Sequence, residues 1–317
     1  MTPRATLALK VCVGCGLLLL LFALVDRQAL RQVLGQVNRW VILSLPVFYV
    51  HSAVKAERWR RYLRAQGVAL RFGEANRLYL SGTFLGLISP GRVGEVYRAW
   101  MLHRERGVHP GLGIASVLVD RLADVAVLLF AGALGLFYLG WQGMGGAAAM
   151  LAGPVWPAAF RARFGAFPRR QFKRLMAHMP ATVADELPGA YRTFLESLRG
   201  MTASLIAQIA VLTVLSIFIY CAHLFFIARV LGLPVGFFEL TGVLCAATFV
   251  NLVPITVNAI GTRDAFLVAA LPLLGVDRAA ALGFSLMFLL LFVANTLMAL
   301  PFWLYGKRAG ESGGVRA

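Results

Sequence analysis

Long apolar runs separated by short basic segments dominate the pattern of this chain. A helix that spans a bilayer needs about 20 mostly apolar residues, and several runs approach or exceed that length. About six runs are predicted to span, at residues 7–25, 40–56, 112–141, 147–160, 201–231 and 279–305. The sequence therefore predicts an all-α, polytopic integral membrane protein, with residues 1–317 forming a single transmembrane domain.

Two further pairs of apolar segments are too short to span, and each pair flanks a polar break. The pairs are 78–88 with 93–102, and 237–253 with 265–274. Proline interrupts a helix and glycine permits positive φ, so the breaks carry natural hinges. The predicted hinges are Pro90, Gly91, Gly94, Pro254 and Gly261. Broken helices at membrane depth are tolerated where protein buries them. We therefore predict two re-entrant hairpins, with a solvated interfacial turn as the alternative for the first break.

The two breaks also suggest an internal repeat. Pro254 follows Pro90 by 254 − 90 = 164 positions, and the same offset relates the spans beside them. Residues 40–141 and 201–305 then each contain a span, a hairpin and a second span, entering from opposite sides. Inverted repeats with broken helices are the build of many transporters. Chance alignment of apolar segments of similar length is the alternative.

The charge is low in amount and strongly basic in sign. Only 14% of the residues are charged, and the formal net charge is +17. The excess lies in loops beside apolar runs, as the positive-inside rule predicts, so we expect no nucleic-acid partner. Basic flanks place both termini and the loop at 161–199 in the cytoplasm. Basic and aromatic residues alternate at 57–64. That segment suits either a short helix on anionic lipid headgroups or a plain topogenic loop.

Eight ionisable residues lie within or beside the apolar segments. They are Arg92, Arg98, Arg121 and Arg263, with Glu95, Asp120, Asp124 and Asp264. At about 2.5–3.5 kcal/mol each, such charges facing lipid would cost over about 20 kcal/mol in total. They must therefore pair, reach water or face a shared cavity. A purely structural set of ion pairs is one reading. The other is a binding site, because the arginine fork suits phosphate as well as carboxylate.

Three motifs resemble the transmembrane, flippase-like region of the lysylphosphatidylglycerol synthase family, and the likeness covers nearly the whole chain. The first, proline-glycine-basic-x-glycine-glutamate, is matched by Pro90, Gly91, Arg92, Gly94 and Glu95. The second, an aspartate-arginine pair, is matched by Asp120 and Arg121. The third is usually a glycine-rich run ending in arginine-glutamate. Here Asn258 and Ala259 stand where glycine is common, and Asp264 replaces the glutamate.

The resemblance implies movement of an anionic phospholipid or a related lipid between leaflets. The expected substrate-binding residues are Arg92, Glu95, Arg98, Asp120, Arg121, Asp124, Asn258, Arg263 and Asp264. We expect no cofactor, no metal and no catalytic residue. Some family members carry an aminoacyl-transferase domain after this region, and lysyl-lipid synthesis is not expected of the present sequence.

Two alternatives to transport stay open. One is a membrane-embedded enzyme acting on lipid headgroups, with Glu95, Asp120 or Asp124 as acid or base. The other is a non-catalytic scaffold for a lipid-biosynthesis enzyme. The sequence has no HExxH motif, nucleophilic serine motif or P-loop, which counts against hydrolysis and direct use of ATP.

Overall fold

A computed structural model of the protein describes residues 39–88, 94–141, 187–252 and 260–313, together with residues 28, 31 and 35. These residues are helical or in short connections, and no strand occurs among them. The all-α prediction is therefore confirmed for the described part of the chain. The predicted spans at 7–25 and 147–160 lie outside it, as do Pro90, Gly91, Arg92, Pro254 and Asn258.

The described helices are numbered here in chain order. They are α1 Arg39–Ser44, α2 Val47–Ala65, α3 Phe72–Ile88, α4 Tyr97–Arg106, α5 Pro110–Trp141, α6 Leu187–Arg199, α7 Ala203–Val230, α8 Phe237–Leu252, α9 Thr262–Ala270 and α10 Arg278–Gly313. A 3₁₀ turn at Leu271–Leu274 follows α9.

The chain divides into two compact units. The first unit comprises Met1–Leu45, Leu128–Phe172 and Tyr220–Phe292, and the second comprises Pro46–Val127, Lys173–Ile219 and Val293–Ala317. Each unit draws on both halves of the chain. The repeats at 40–141 and 201–305 stay a prediction.

Helix α2 supplies much of the core of the second unit. Trp59, Tyr62 and Leu63 are buried on it and pack with residues of α3 and α4. Their spacing of three and four places them on one face of the helix. The segment 57–64 is therefore neither a separate surface helix nor a loop, which corrects the expectation from sequence. It continues α2, and its buried face includes Arg58.

The less buried side of the same segment carries its remaining charges. Glu57 accepts hydrogen bonds from Arg60 Nε at 2.6 Å and from Arg61 Nε at 2.8 Å. These are the i,i+3 and i,i+4 pairs that neighbour each other on a helix surface. The basic residues thus divide by helical phase, with Arg58 turned inward and Arg60 and Arg61 paired on the outer side.

Helices α3 and α4 form an antiparallel hairpin whose arms touch along their length. Ion pairs Glu74–Arg106 and Arg77–Glu105 join the ends of the arms that lie away from the break. Closer to the break, two glycines of α3 let α4 approach. A Cβ on Gly82 would lie 3.1 Å from Arg98 Cβ, and one on Gly86 would lie 2.5 Å from Glu95 Cγ. Whether this hairpin re-enters the membrane stays a prediction.

Helices α8 and α9 flank the second break, within the first unit. Gly261 has φ of +87° immediately before α9, a conformation that glycine adopts without strain. Its backbone N–H donates to Asp264 Oδ2 at 2.8 Å, so the aspartate caps the beginning of the helix. Gly261 therefore has the backbone geometry of a hinge or tight turn.

Two of the described helices are long and apolar enough to cross a membrane, Ala203–Val230 and Arg278–Tyr305. Only 28% of the apolar window of the first and 39% of that of the second is buried. Large apolar side chains such as Val211, Phe218 and Leu297 face outward. Extensive exposed apolar surface suits contact with lipid and would be a liability in water. The total number of spans stays a prediction.

The close approach in the first hairpin can be tested at Gly94. An added Cβ there would overlap the backbone carbonyl group of Leu85. We expect Gly94→Ala to lower the free energy of unfolding by about 1–3 kcal/mol, the usual cost of overpacking. Gly73→Ala is the matched control, since an added Cβ at that position meets nothing within 4 Å. Thermal unfolding in detergent measures both, and equal stability of the two variants would contradict the packing described.

Candidate functional site

A cluster of charged side chains lies inside the second unit, and it is called the charged cluster below. Its members are Lys55 and Arg58 on α2, Tyr79 on α3, Glu95 just before α4, Arg98 on α4, and Asp120, Arg121 and Asp124 on α5. Asp120 and Asp124 are one turn apart and therefore share a face of α5. That face is the centre of the cluster.

Arg58 has an acceptor for every one of its donors. Its Nε donates to Asp120 Oδ1 at 3.0 Å, and Nη2 donates to the same oxygen and to the Asp120 carbonyl oxygen. Its Nη1 donates to Asp124 Oδ1 at 2.7 Å and to Thr213 Oγ1 at 2.8 Å. A guanidinium group has five N–H donors, so this one has none left for a ligand. Arg58 is a structural clamp between α2 and α5.

Asp120 is the anion on which the cluster converges. Besides Arg58, its Oδ2 accepts from Arg98 Nη2 at 2.7 Å, from Tyr79 Oη at 3.2 Å and from Arg121 Nη2 at 3.4 Å. The Asp120 side chain is only 2% exposed. An unpaired charge at such depth would cost several kcal/mol. The three arginines around Asp120 offset that cost.

Arg98 is held by aromatic faces as well as by Asp120. Its Cζ lies 4.6 Å from the ring centroid of Tyr79 and 5.2 Å from that of Trp59. Trp59 is fixed in turn, since its Nε1 donates to Ser116 Oγ at 2.9 Å. Arg98 Nε is buried and has no acceptor among the described residues. Unlike Arg58, Arg98 therefore keeps an unused donor.

One side of the cluster is more open than the rest. The Arg121 side chain is 31% exposed, Lys55 is 13% exposed and Asp124 is 11% exposed. Asp124 Oδ2 lies 2.7 Å from Lys55 Nζ and 3.3 Å from Arg121 Nη2. Arg121 Nε also lies 3.0 Å from Glu95 Oε2. We call Lys55, Arg121 and Asp124 the rim of the cluster.

The cluster has unequal numbers of charges and little free space. Its described members include four cations and three carboxylates, which leaves one positive charge in excess. A cavity of about 10 Å³ lies against Arg58 and Asp120, which is room for about one water molecule.

The charged residues of the second break form their own group in the first unit. Arg263 Nη2 donates to Asp264 Oδ1 at 2.9 Å, and Ser285 Oγ donates to the same oxygen at 2.6 Å. The Arg263 Cζ lies 4.0 Å from the ring centroid of Phe288. Arg263 Nε, like Arg98 Nε, is buried and has no acceptor among the described residues. Of the other predicted site residues, Arg92 and Asn258 lie outside the described residues.

Sequence reasoning placed five members of the cluster among the candidates and missed the rest. The five were Glu95, Arg98, Asp120, Arg121 and Asp124. Those missed were Lys55, Arg58 and Tyr79, together with Thr213, which accepts from Arg58. A signal for Arg58 existed, since it precedes Trp59 and lies four positions before Tyr62 on a single helical face.

Long helices with exposed apolar faces around a buried set of ion pairs define a helical membrane protein. The chain matches the family model described as the lysylphosphatidylglycerol synthase TM region over residues 7–298. It belongs to that family.

Two named relatives share part of the sequence. The UPF0104 membrane protein MJ1595 of Methanocaldococcus jannaschii is 28% identical over 127 residues, which is 39% of this chain and 37% of the relative. The glycosyltransferase AglD of Haloferax volcanii is 29% identical over 154 residues, which is 46% of this chain and 24% of the relative. The matches thus cover well under two thirds of either relative. No solved structure matches the chain.

The clamp role of Arg58 predicts a large loss of stability on substitution. Arg58→Gln removes the charge that faces Asp120 and Asp124, so we expect the free energy of unfolding to fall by about 3–5 kcal/mol. Arg58→Lys keeps the charge and should lose less, since an ammonium group has only three donors. Chemical unfolding in detergent micelles would measure the differences.

The control for this series is Arg192→Gln. Arg192 forms an exposed i,i+4 pair with Glu196 and should contribute less than about 1 kcal/mol. If Arg58→Gln unfolds with the same free energy as this control, Arg58 is not a clamp.

Proposed function

We propose that this protein moves an anionic phospholipid, or a related lipid, between the leaflets of a membrane. The observation that carries the proposal is the charged cluster, whose described members have one cation in excess and include a partly exposed arginine, Arg121. Arginine binds phosphate through paired donors and stays charged in a membrane interior. The substrate would be a membrane lipid with an anionic headgroup.

The helix bounds support the transporter architecture. The offset of 164 residues between the two breaks carries Ile88, where α3 ends, onto Leu252, where α8 ends. It also carries Arg106, where α4 ends, onto Ala270, where α9 ends. Two helical hairpins of matching extent are what a repeat at 40–141 and 201–305 requires. Repeats with broken helices are typical of secondary transporters.

The contents of the cluster favour binding over acid-base chemistry. Asp120 and Asp124 each accept from two or more cations, and Glu95 lies 3.0 Å from Arg121 Nε. Carboxylates held in this way already have oxygens in contact with cations of the protein, which suits a role in positioning those cations. The headgroup-modifying enzyme and the scaffold for a lipid-biosynthesis enzyme are the alternatives to this proposal.

The proposed location is the inner membrane of a bacterium, with both termini in the cytoplasm. Basic residues near the ends of the chain, such as Arg4, Lys10 and Lys307, support that orientation. Anionic lipid headgroups of the cytoplasmic leaflet would attract the basic loops and favour the same orientation.

Leaflet exchange by the purified protein tests the proposal. Liposomes would carry fluorescent phosphatidylglycerol or phosphatidylcholine, and the rate at which label becomes accessible to an external quencher would be measured. We expect the wild type to accelerate exchange of the anionic lipid. Arg121→Gln should slow it at least about tenfold, since a hydrogen bond to a charged group contributes about 1.5–3 kcal/mol.

Two further variants make the result specific. Arg192→Gln should exchange lipid at the wild-type rate, because Arg192 is an exposed residue outside the cluster. Arg92→Ala, which tests the basic position of the first family motif, should lose activity as Arg121→Gln does. Turnover of headgroups without exchange would favour the enzyme, and activity only with a co-purifying enzyme would favour the scaffold. Folded protein that exchanges no lipid would overturn the proposal.

A further inference from the structure

The three carboxylates of the charged cluster are not held in the same way. Asp124 divides its two oxygens between different partners. Oδ1 accepts from Arg58 Nη1 at 2.7 Å, deep in the cluster, while Oδ2 lies between Lys55 Nζ and Arg121 Nη2 at 2.7 and 3.3 Å. Oδ1 is thus tied to the clamp, and Oδ2 is tied to the rim. One oxygen of Asp124 can therefore keep its contact with Arg58 while the other gives up its contacts with Lys55 and Arg121.

The surroundings of Oδ2 match those of a bound phosphate oxygen. An ammonium group and one arm of a guanidinium group converge on a single anionic oxygen, which is how lysine and arginine together hold a phosphate. Lys55 and Arg121 are also more exposed than Arg58, Arg98 and Asp120, each of which has a side chain 2% exposed. A ligand would meet these two cations first.

We infer that Asp124 Oδ2 occupies the place of a phosphate oxygen in the empty protein. A phosphodiester headgroup displaces that oxygen and binds Lys55 and Arg121, while Asp124 stays attached to Arg58 through Oδ1. This inference rests on the proposed function, since it names the headgroup chemistry of the lipid to be moved. It also assigns a binding role to Lys55, which the sequence motifs do not include.

Charge balance identifies the class of ligand. The described cluster carries one positive charge in excess, and Asp124 remains within it after displacement. A phosphodiester with no cationic group of its own brings one negative charge and neutralises the excess. A zwitterionic headgroup brings its own cation close to Lys55 and Arg121 and gains less. The favoured ligand is an anionic phosphodiester of the phosphatidylglycerol type.

Opposite effects of two substitutions test the inference. Calorimetric titration of the purified full-length chain would use dioctanoyl phosphatidylglycerol, dioctanoyl phosphatidylcholine and inorganic phosphate as separate probes. Lys55→Gln should weaken phosphatidylglycerol binding at least about tenfold, because it removes one of the two cations. Asp124→Asn should tighten binding at least about tenfold, because it removes the competing negative charge and keeps an acceptor for Arg58. A purely structural cluster would not give shifts of opposite sign.

Matched controls separate the rim from charge in general. Asp277→Asn changes an aspartate that caps α10 in the other unit, and it should leave affinity unchanged. Lys55→Arg keeps the positive charge and should bind the anionic lipid more tightly than Lys55→Gln does. The comparison of Lys55→Gln with Lys55→Arg also decides the matter if Asp124→Asn fails to fold. Affinities that are equal for both Lys55 variants would overturn the inference.

The probes and the exchange assay distinguish this inference from the proposed function. Binding of phosphatidylglycerol but not of inorganic phosphate supports a lipid headgroup, and tighter binding of inorganic phosphate overturns it. If Lys55→Gln weakens binding and Asp124→Asn tightens it, but the protein exchanges no lipid between leaflets, the transporter proposal is overturned. The inference about the rim site is then still supported. The opposite result is leaflet exchange that depends on Arg121, with Lys55→Gln and Asp124→Asn both binding lipid as the wild type does. That result would overturn the rim site and support the transporter.

Discussion

The pairing of Arg58 with Asp120 and Asp124 is the interaction on which the second unit depends. It removes three charges from water together, and each would be too costly to bury alone. Because the five donors of Arg58 are all used, α2 and α5 are joined in one geometry. The other members of the cluster contact this frame through fewer hydrogen bonds.

The α3–α4 hairpin is attached in that weaker way. Arg98 donates to Asp120, Arg121 reaches Glu95, and glycine contacts bring the two arms together. Arg121 is shared between the rim and the hairpin, since it lies near both Asp124 and Glu95. A ligand that draws Arg121 toward itself would weaken the contact with Glu95. Binding at the rim, as proposed above, would therefore affect the contact between the rim and the hairpin through this one side chain.

The sequence predicted the helical class and much of the cluster, for a reason that also explains what it missed. Asp120, Arg121 and Asp124 are conspicuous because ionised groups are costly inside an apolar run. Lys55 and Arg58 lie beside Arg60, Arg61 and Arg64, where the positive-inside rule accounts for any cation. The more buried cations differ from the more exposed ones only in the face of the helix on which they lie. The sequence did not indicate that α2 continues to Ala65, because the charges of this segment resembled those that follow the end of a span.

A binding cluster differs from a purely structural one in that some of its charged groups lack a partner within the protein. Replacing buried ion pairs by apolar side chains is often neutral or stabilising, so stability alone is a weak reason to keep so many charges. If they served stability only, each donor would be expected to have an acceptor, as in Arg58. Among the described members of the cluster, the cations outnumber the carboxylates. Arg98 Nε also has no acceptor among the described residues, a feature that it shares with Arg263 Nε in the other unit. At the rim, two cations, Lys55 and Arg121, share one carboxylate, Asp124, and an anionic ligand there would complete the balance.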